Sequence, residues 1–387
     1  MIKRDLEKII FELLDGFPIV TITGPRQSGK TTLAQRIFQG KPYLSLEDPD
    51  IRRMALDDPR AFLNKLPDGG VLDEVQRAPE LFSYLQSRVD ADGRMGLFLL
   101  TGSQQFGLIS KITQSLAGRT AFVELLPFSI NELNRAALVS KSLDEMLFKG
   151  GYPPLYDRKL SPSQWLAAYT TAYVERDVRQ LLKIQDLVSF QRFVMLCAGR
   201  SGQIVNLSSL ANDCSITHNT AKAWISILEA SYIVFQLRPH FVNFNKRLIK
   251  SPKLYFYDTG LVCWLLGIRE VGQLASHPLR GSIFETFILS ELVKARLNSG
   301  EKGQFHFWRD RNGNEVDVIA DVGTKLMPIE IKSGQTINRD FFVGLKRWAK
   351  LAKDQATSPT LIYGGLEKGA RKGVNIYGWD AVAQVIE

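Results

Sequence analysis

At 387 residues the chain is longer than one hydrophobic core normally serves, so two or three domains are expected. Hydrophobic residues at 45% and charged residues at 23% exclude a disordered or fibrous chain. No run of 18 apolar residues and no signal-like start occurs, which points away from a membrane protein and toward the cytoplasm. A net charge of +9 favours polyanionic partners such as nucleic acid, though charge alone does not select one. Cys197, Cys214 and Cys263 are odd in number, far apart and set among apolar residues. They read as reduced core thiols, not as a disulfide frame or a metal site.

Residues 18–23 form a short β-branched run that predicts a buried strand, and residues 31–38 carry a helical pattern. Between them lies Gly24-Pro-Arg-Gln-Ser-Gly-Lys-Thr31, a full G-x4-G-K-T match. In such a loop Gly24, Pro25, Arg26, Gln27, Ser28, Gly29, Lys30, Thr31 and Thr32 wrap a phosphate chain. The glycines let backbone N–H groups turn inward, and the helix start adds a favourable dipole. Lys30 is expected to reach the β- and γ-phosphates of ATP, and the Thr31 hydroxyl to bind Mg2+. Residues 70–74 predict a strand ending in two carboxylates. There Asp73 would hold the Mg2+ shell and Glu74 would polarise the attacking water. A third strand ends in Thr101-Gly-Ser103, where Thr101 either senses the γ-phosphate or merely opens a turn. Arg119, ahead of a fourth strand-like run, is either an arginine finger for a neighbouring subunit, implying a homo-oligomer, or a surface arginine.

Gly150-Gly-Tyr-Pro-Pro154 is a concentrated breaker and the expected end of a first domain, 1–150. Ser161-Pro162 then opens a long helical stretch, the core of a connector over 151–200. Its charged residues Glu175, Arg176, Asp177 and Arg179 are either a solvated face or a latch between domains. Residues 206–237 suggest a helix-turn-helix with Trp224, Ile225 and Leu228 inward, and residues 253–257 a further strand, giving a winged helix over 201–260. In a DNA-reading version His218, Asn219 and Lys222 face the major groove. The following segment holds Lys246, Arg247, Lys250 and Lys253, a density suited to phosphate contact. Winged helices also serve as protein-binding or purely structural modules.

In the last region, 261–387, two alternating runs surround Gly323-Thr324. A two-residue hairpin turn there sets Asp317 opposite Glu330 and Glu315 opposite Lys332. Facing carboxylates repel unless a cation lies between them, and Mg2+ or Mn2+ is the candidate, with Lys332 beside it to orient water. Glu285, on a preceding helix, can add a third carboxylate. The alternative is a plain hairpin whose acids and lysine neutralise each other. His306 reads as a packed strand histidine.

Gly24–Thr32, Leu72-Asp-Glu-Val-Gln-Arg-Ala-Pro79 and Leu116-Ala-Gly-Arg119 resemble bacterial and archaeal AAA-type ATPases with a C-terminal domain of unknown function. Tyr173-Val-Glu-Arg-Asp-Val-Arg179 and Ser251-Pro-Lys-Leu-Tyr-Phe-Tyr-Asp-Thr-Gly260 resemble signatures of that second domain. The order Glu285, Asp317, Glu330, Lys332 is similar to the PD-(D/E)xK nuclease family, except that no proline directly precedes Asp317. The resemblance implies an α/β chain: an AAA-like parallel-sheet domain, a winged helix and a restriction-endonuclease-like domain. The expected activity is ATP hydrolysis that controls engagement with DNA, with cleavage at the nuclease-like centre left open. The competing expectation is a nucleotide-dependent switch that binds a protein partner.

Overall fold

The computed structural model describes residues 2–103, 115–172, 186–240, 251–301, 304–310 and 312–386. The signature at 173–179 and the cations Lys246, Arg247 and Lys250 lie outside the described residues. The chain forms two compact units. The first comprises Met1–Phe128, Ala230–Tyr232 and Leu297–Glu301; the second holds Ser129–Glu229, Ile233–Arg296 and Lys302–Glu387. No helix among the described residues is long and apolar enough to cross a membrane.

In the first unit, five parallel strands run β1 (Ile19–Thr23), β2 (Tyr43–Ser45), β3 (Gly70–Asp73), β4 (Phe98–Gly102) and β5 (Thr120–Glu124). Their spatial order is β2-β3-β4-β1-β5. Strands buried on both faces read as continuous apolar runs, and side chains alternate between the faces. Phe98, Leu100 and Leu72 pack with Phe62, Leu63, Leu81 and Leu85 of helices Pro59–Asn64 and Leu81–Asp92. Leu99 and Val71 point the other way, onto Leu6, Ile10, Leu33 and Ala34 of α1 (Leu6–Gly16) and α2 (Lys30–Ile37). The sheet is thus sandwiched between two helical layers, with the ends of β1, β3 and β4 opening at one edge. The short segment Ala230–Tyr232 belongs to this unit, where the buried Tyr232 hydroxyl donates to Thr23 Oγ1 at 2.7 Å.

In the second unit, β6 (Gln203–Ile204), β7 (Val234–Pro239), β8 (Lys253–Phe256), β9 (Phe305–Arg309), β10 (Glu315–Val322), β11 (Lys325–Lys332), β12 (Thr360–Tyr363), β13 (Gly369–Arg371) and β14 (Val374–Gly378) form one mixed sheet. The order is β13-β14-β12-β11-β10-β9-β7-β8-β6. The hairpin register follows from the turn: Val318 faces Ile329 and Val322 faces Lys325 across Gly323-Thr324. Trp308, Val316, Ile319, Leu345, Trp348 and Leu361 form the core beneath it. Ahead of this sheet, helices Leu187–Gly199, Leu207–Asp213 and His218–Ala230 pack together, with Trp224 edge-on to Phe190 and Phe193 at 5.2 and 5.3 Å. The Asn206 side chain caps the second of them by accepting from the Ser209 N–H.

The breaker at Gly150 lies inside the second unit, beyond the unit boundary at Phe128. Gly150 has φ +70°, and a Cβ there would fall 2.4 Å from Asp258 Oδ1. The buried Asp258 carboxylate accepts from the backbone N–H groups of Gly151 at 2.7 Å and Leu261 at 3.0 Å. The Tyr-Asp-Thr-Gly260 signature therefore clamps the Gly150-Gly151 turn. Cys197, Cys214 and Cys263 are buried and unbridged.

Candidate functional site

The phosphate loop leaves β1 at the carboxyl edge of the first sheet and enters α2 at Lys30. Gly24 has φ +148°, and a Cβ there would fall 2.2 Å from the Leu125 carbonyl oxygen, so only glycine fits. Gln27 and Gly29 also take positive φ, which curls the loop. Buried Lys30 donates from Nζ to the carbonyls of Gly24 at 3.0 Å and Pro25 at 2.7 Å, folding its side chain over the loop. Arg4 braces the loop by donating to the carbonyls of Ser28 at 2.7 Å and Leu126 at 2.6 Å. No sequence motif marks Arg4, because its partners lie 24 and 122 residues away.

Asp73 ends β3 and collects three hydroxyl groups. Its Oδ2 accepts from Thr31 at 3.0 Å and from Tyr43 at 2.6 Å, and its Oδ1 accepts from buried Thr101. Burial, followed by the bond to Asp73, pushes the Tyr43 hydroxyl well above the ordinary tyrosine pKa, so it stays a donor. Tyr43 on β2 was not foreseen from sequence. Glu74 sits at φ +56°, and its carboxylate accepts from Ser103 Oγ at 3.2 Å and from the Gln76 side-chain amide. These residues fit a nucleoside triphosphate with Mg2+. Thr31 and Asp73 supply adjacent hard oxygen donors, and Lys30 supplies the buried cation. When bound, the ion would neutralise charge between the phosphates.

Arg119 lies elsewhere. Its carbonyl accepts from the Ile19 N–H at the amino end of β1, the opposite end from the loop. Its guanidinium grips Asp90 at 2.5 and 2.8 Å, which holds that carboxyl below the ordinary aspartate range.

The second unit gathers the other predicted residues. Asp317 sits where the β9–β10 ladder breaks between Val316 and Ile319, one step beyond the last β10–β11 pair. Its Oδ2 accepts from the Ile331 N–H at 2.8 Å and lies 3.5 Å from Lys332 Nζ. Lys332 also meets Glu330 Oε1 at 2.6 Å. Glu285, on helix Arg280–Asn298, accepts from the Tyr255 hydroxyl at 2.5 Å and from Lys253 Nζ at 3.1 Å. Burial pushes Glu330 up to about 8, with Asp317 adding to the shift and Lys332 opposing it. Burial also raises Glu285, against the pull of Lys253. Burial alone would depress the Lys332 and Lys253 ammonium groups. The surrounding carboxylates outweigh it and hold both above the ordinary lysine range.

Three expectations change here. Glu315 does not pair with Lys332; it contacts Lys253 and lies 3.3 Å from Arg309. Lys253 is no phosphate-facing surface residue, being 3% exposed and turned into the sheet. Among the described residues, no group of three or more His, Cys, Asp or Glu side chains is placed to hold a metal ion. The acids expected to share Mg2+ or Mn2+, Asp317 and Glu330, are engaged by a backbone N–H and Lys332 instead. His218, Asn219 and Lys222 are exposed at the start of their helix. His306 lies half-buried in β9, 5.4 Å from the His240 ring.

Family comparison divides the chain in three. Residues 16–134 match an AAA domain, residues 140–271 a domain of unknown function (DUF8612), and residues 280–381 a second domain of unknown function (DUF4143). The uncharacterized protein Rv2008c of Mycobacterium tuberculosis is 31% identical over 339 residues, covering 86% of this chain and 74% of its own length. The uncharacterized protein Mb2031c of Mycobacterium bovis matches with the same figures. Among solved structures, a Walker-type ATPase of Pyrococcus abyssi aligns with a TM-score of 0.46 and 14% identity, over 68% of this chain and 96% of that one. A DNA replication initiation factor aligns at 0.26 and 17% identity, over 58% and 85%. Neither score reaches a shared overall architecture. Identity and coverage against the mycobacterial relatives do suffice, and the chain belongs to their family, as an AAA-domain ATPase continued by two domains of unknown function.

Proposed function

We propose that ATP binding and hydrolysis in the first unit control the engagement of DNA by the second. The observation that carries this reading is the exposed start of helix His218–Ala230, which offers His218, Asn219 and Lys222 to solvent. A short helix precedes it and the strands β7 and β8 follow it, the order of a winged helix. The contacts expected are mainly to phosphates, with Lys246, Arg247 and Lys250 adding to them. In the ATPase site, Lys30 would grip the β- and γ-phosphates with Pro25, Arg26, Gln27, Ser28 and Thr32 lining the loop. Thr31 and Asp73 would hold Mg2+, and Glu74 would orient the attacking water once released by Ser103 and Gln76. Arg119, at the far edge of its own sheet, would complete the site of a neighbouring copy in a homo-oligomer.

The test is ATP turnover with and without duplex, single-stranded and branched DNA, alongside DNA binding over a salt series. DNA should stimulate turnover. Neutralising Lys246, Arg247 and Lys250 together should flatten the log–log salt slope by up to about 0.9 for each phosphate no longer neutralised. Turnover indifferent to every DNA, with an unchanged slope, would overturn the proposal.

A second reading has its own support. Glu285, Asp317, Glu330 and Lys332 follow the order of PD-(D/E)xK nucleases, yet lysines neutralise these acids. That favours a nucleotide-dependent switch carrying a nuclease-like domain that does not cut. Cleavage dependent on Mg2+ or Mn2+ that Lys332→Ala abolishes while ATPase survives would refute it.

A further inference from the structure

The acidic centre holds four carboxylates, Glu285, Glu315, Asp317 and Glu330, and a divalent ion needs several such oxygens converging on one point. Its most enclosed cation is already part of the chain. Lys253 is 3% exposed, its Nζ stands 3.1 Å from Glu285 Oε1, and it contacts Glu315 Oε1. It has little freedom to leave. Lys253 is paired in the backbone ladders on both sides, with Leu237 of β7 and Ile204 of β6, so its Cα is fixed within the sheet. Two residues along the same face, Tyr255 donates to the same oxygen of Glu285. On the far side Lys332 and the Ile331 N–H occupy Glu330 Oε1 and Asp317 Oδ2, and Arg309 meets Glu315. Among the described residues, three cations thus face four carboxylates, and a doubly charged ion entering beside a buried ammonium group would be repelled.

We infer that Lys253 is the resident cation of this centre. Its ammonium stands where a divalent ion would bridge Glu285 and Glu315, and the centre stays free of metal while β8 holds it there. Glu330 Oε2, which Lys253 does not contact, is buried without a hydrogen-bond partner. Without Lys253 the oxygens of Glu285 and Glu315 that it contacts would lose their cation. A divalent ion entering there would have to draw Asp317 toward it, since the acids are not placed around one point while the lysine is present. This inference rests on the nuclease-like reading of the acid set. It does not depend on DNA binding by helix His218–Ala230, so gel-shift results cannot decide it.

The test counts bound Mn2+ by electron paramagnetic resonance on the full, nucleotide-free chain carrying Asp73→Asn, which silences the ATPase ion site. This parent should bind no Mn2+ at the acidic centre. Adding Lys253→Met should create one site per chain, and adding Asp317→Asn as well should remove it. A parent that binds one Mn2+, lost on Asp317→Asn, overturns the inference, as does a folded Lys253→Met chain that binds none. Circular dichroism checks folding. Should Lys253→Met not fold, Lys253→Gln repeats the gain-of-site measurement, and the parent count by itself still supports or refutes the inference.

Discussion

Asp73 draws hydroxyl donors from three different elements: Thr31 on α2, Tyr43 on β2 and Thr101 on β4. A carboxylate held this way is preorganised, and its cost of ordering is met on folding instead of on ligand binding. Tyr43→Phe removes one of these bonds without emptying the space. It should cost about 1 kcal/mol of stability and weaken Mg2+·ATP binding measured by calorimetry. Lys30→Ala removes the ammonium that folds over the loop, and turnover should fall by at least about 100-fold in a coupled ATPase assay. The acidic centre makes a pH prediction. Glu330 is raised to about 8 from 4.5, with Asp317, Lys332 and Glu315 as its charged neighbours, and Glu285 is raised as well. An acid that binds its proton more tightly when folded adds stability below pH 4.5 that is lost as pH rises toward 8. The Tm of the second unit should therefore drop across that window, and Glu330→Gln should make the drop shallower.

Where function is carried by residues close in sequence, the elements could be read in advance. The glycine spacing of the phosphate loop is one case, and the Gly323-Thr324 turn is another, because a two-residue loop leaves one register open to β10 and β11. Helix His218–Ala230 was legible from its apolar spacing, and Trp224, Ile225 and Leu228 are buried as that spacing requires. Trp224→Ala would empty the space between Phe190 and Phe193 and should cost about 3–5 kcal/mol, read as a lower denaturant midpoint of the second unit. Interactions across long separations were not legible. Lys253 sits in a stretch dense with cations and looks like a surface residue. Only the strand pairing of β8 with β6 and β7 turns it inward, 32 residues in sequence from Glu285. Arg4 and Tyr43 escaped notice for the same reason: each acts through partners that no local pattern links to it.

For the molecule as a whole, the position of Arg119 at the far end of β1 from the loop makes a test of assembly possible. If it serves a neighbour, Lys30→Ala and Arg119→Ala chains should each be nearly inactive, yet a mixture of the two should regain measurable turnover. A mixture as inactive as its parts would mean that Arg119 acts only through Asp90 in its own chain. The first unit is also assembled from three stretches of chain, so a protein stopped after Phe128 lacks the Tyr232 bond to Thr23 and the segment Leu297–Glu301. Such a fragment should melt below the same unit in the full chain, and its nucleotide affinity should fall with it. The same arrangement bears on how the protein is made. The last strip of the ATPase unit leaves the ribosome only after the 173 residues from 129 to 301, a delay of roughly 10–35 s at about 5–20 residues per second. Through that interval most of the nucleotide-binding unit is already synthesised but unfinished, and the polypeptide that completes it is interleaved with the unit that follows.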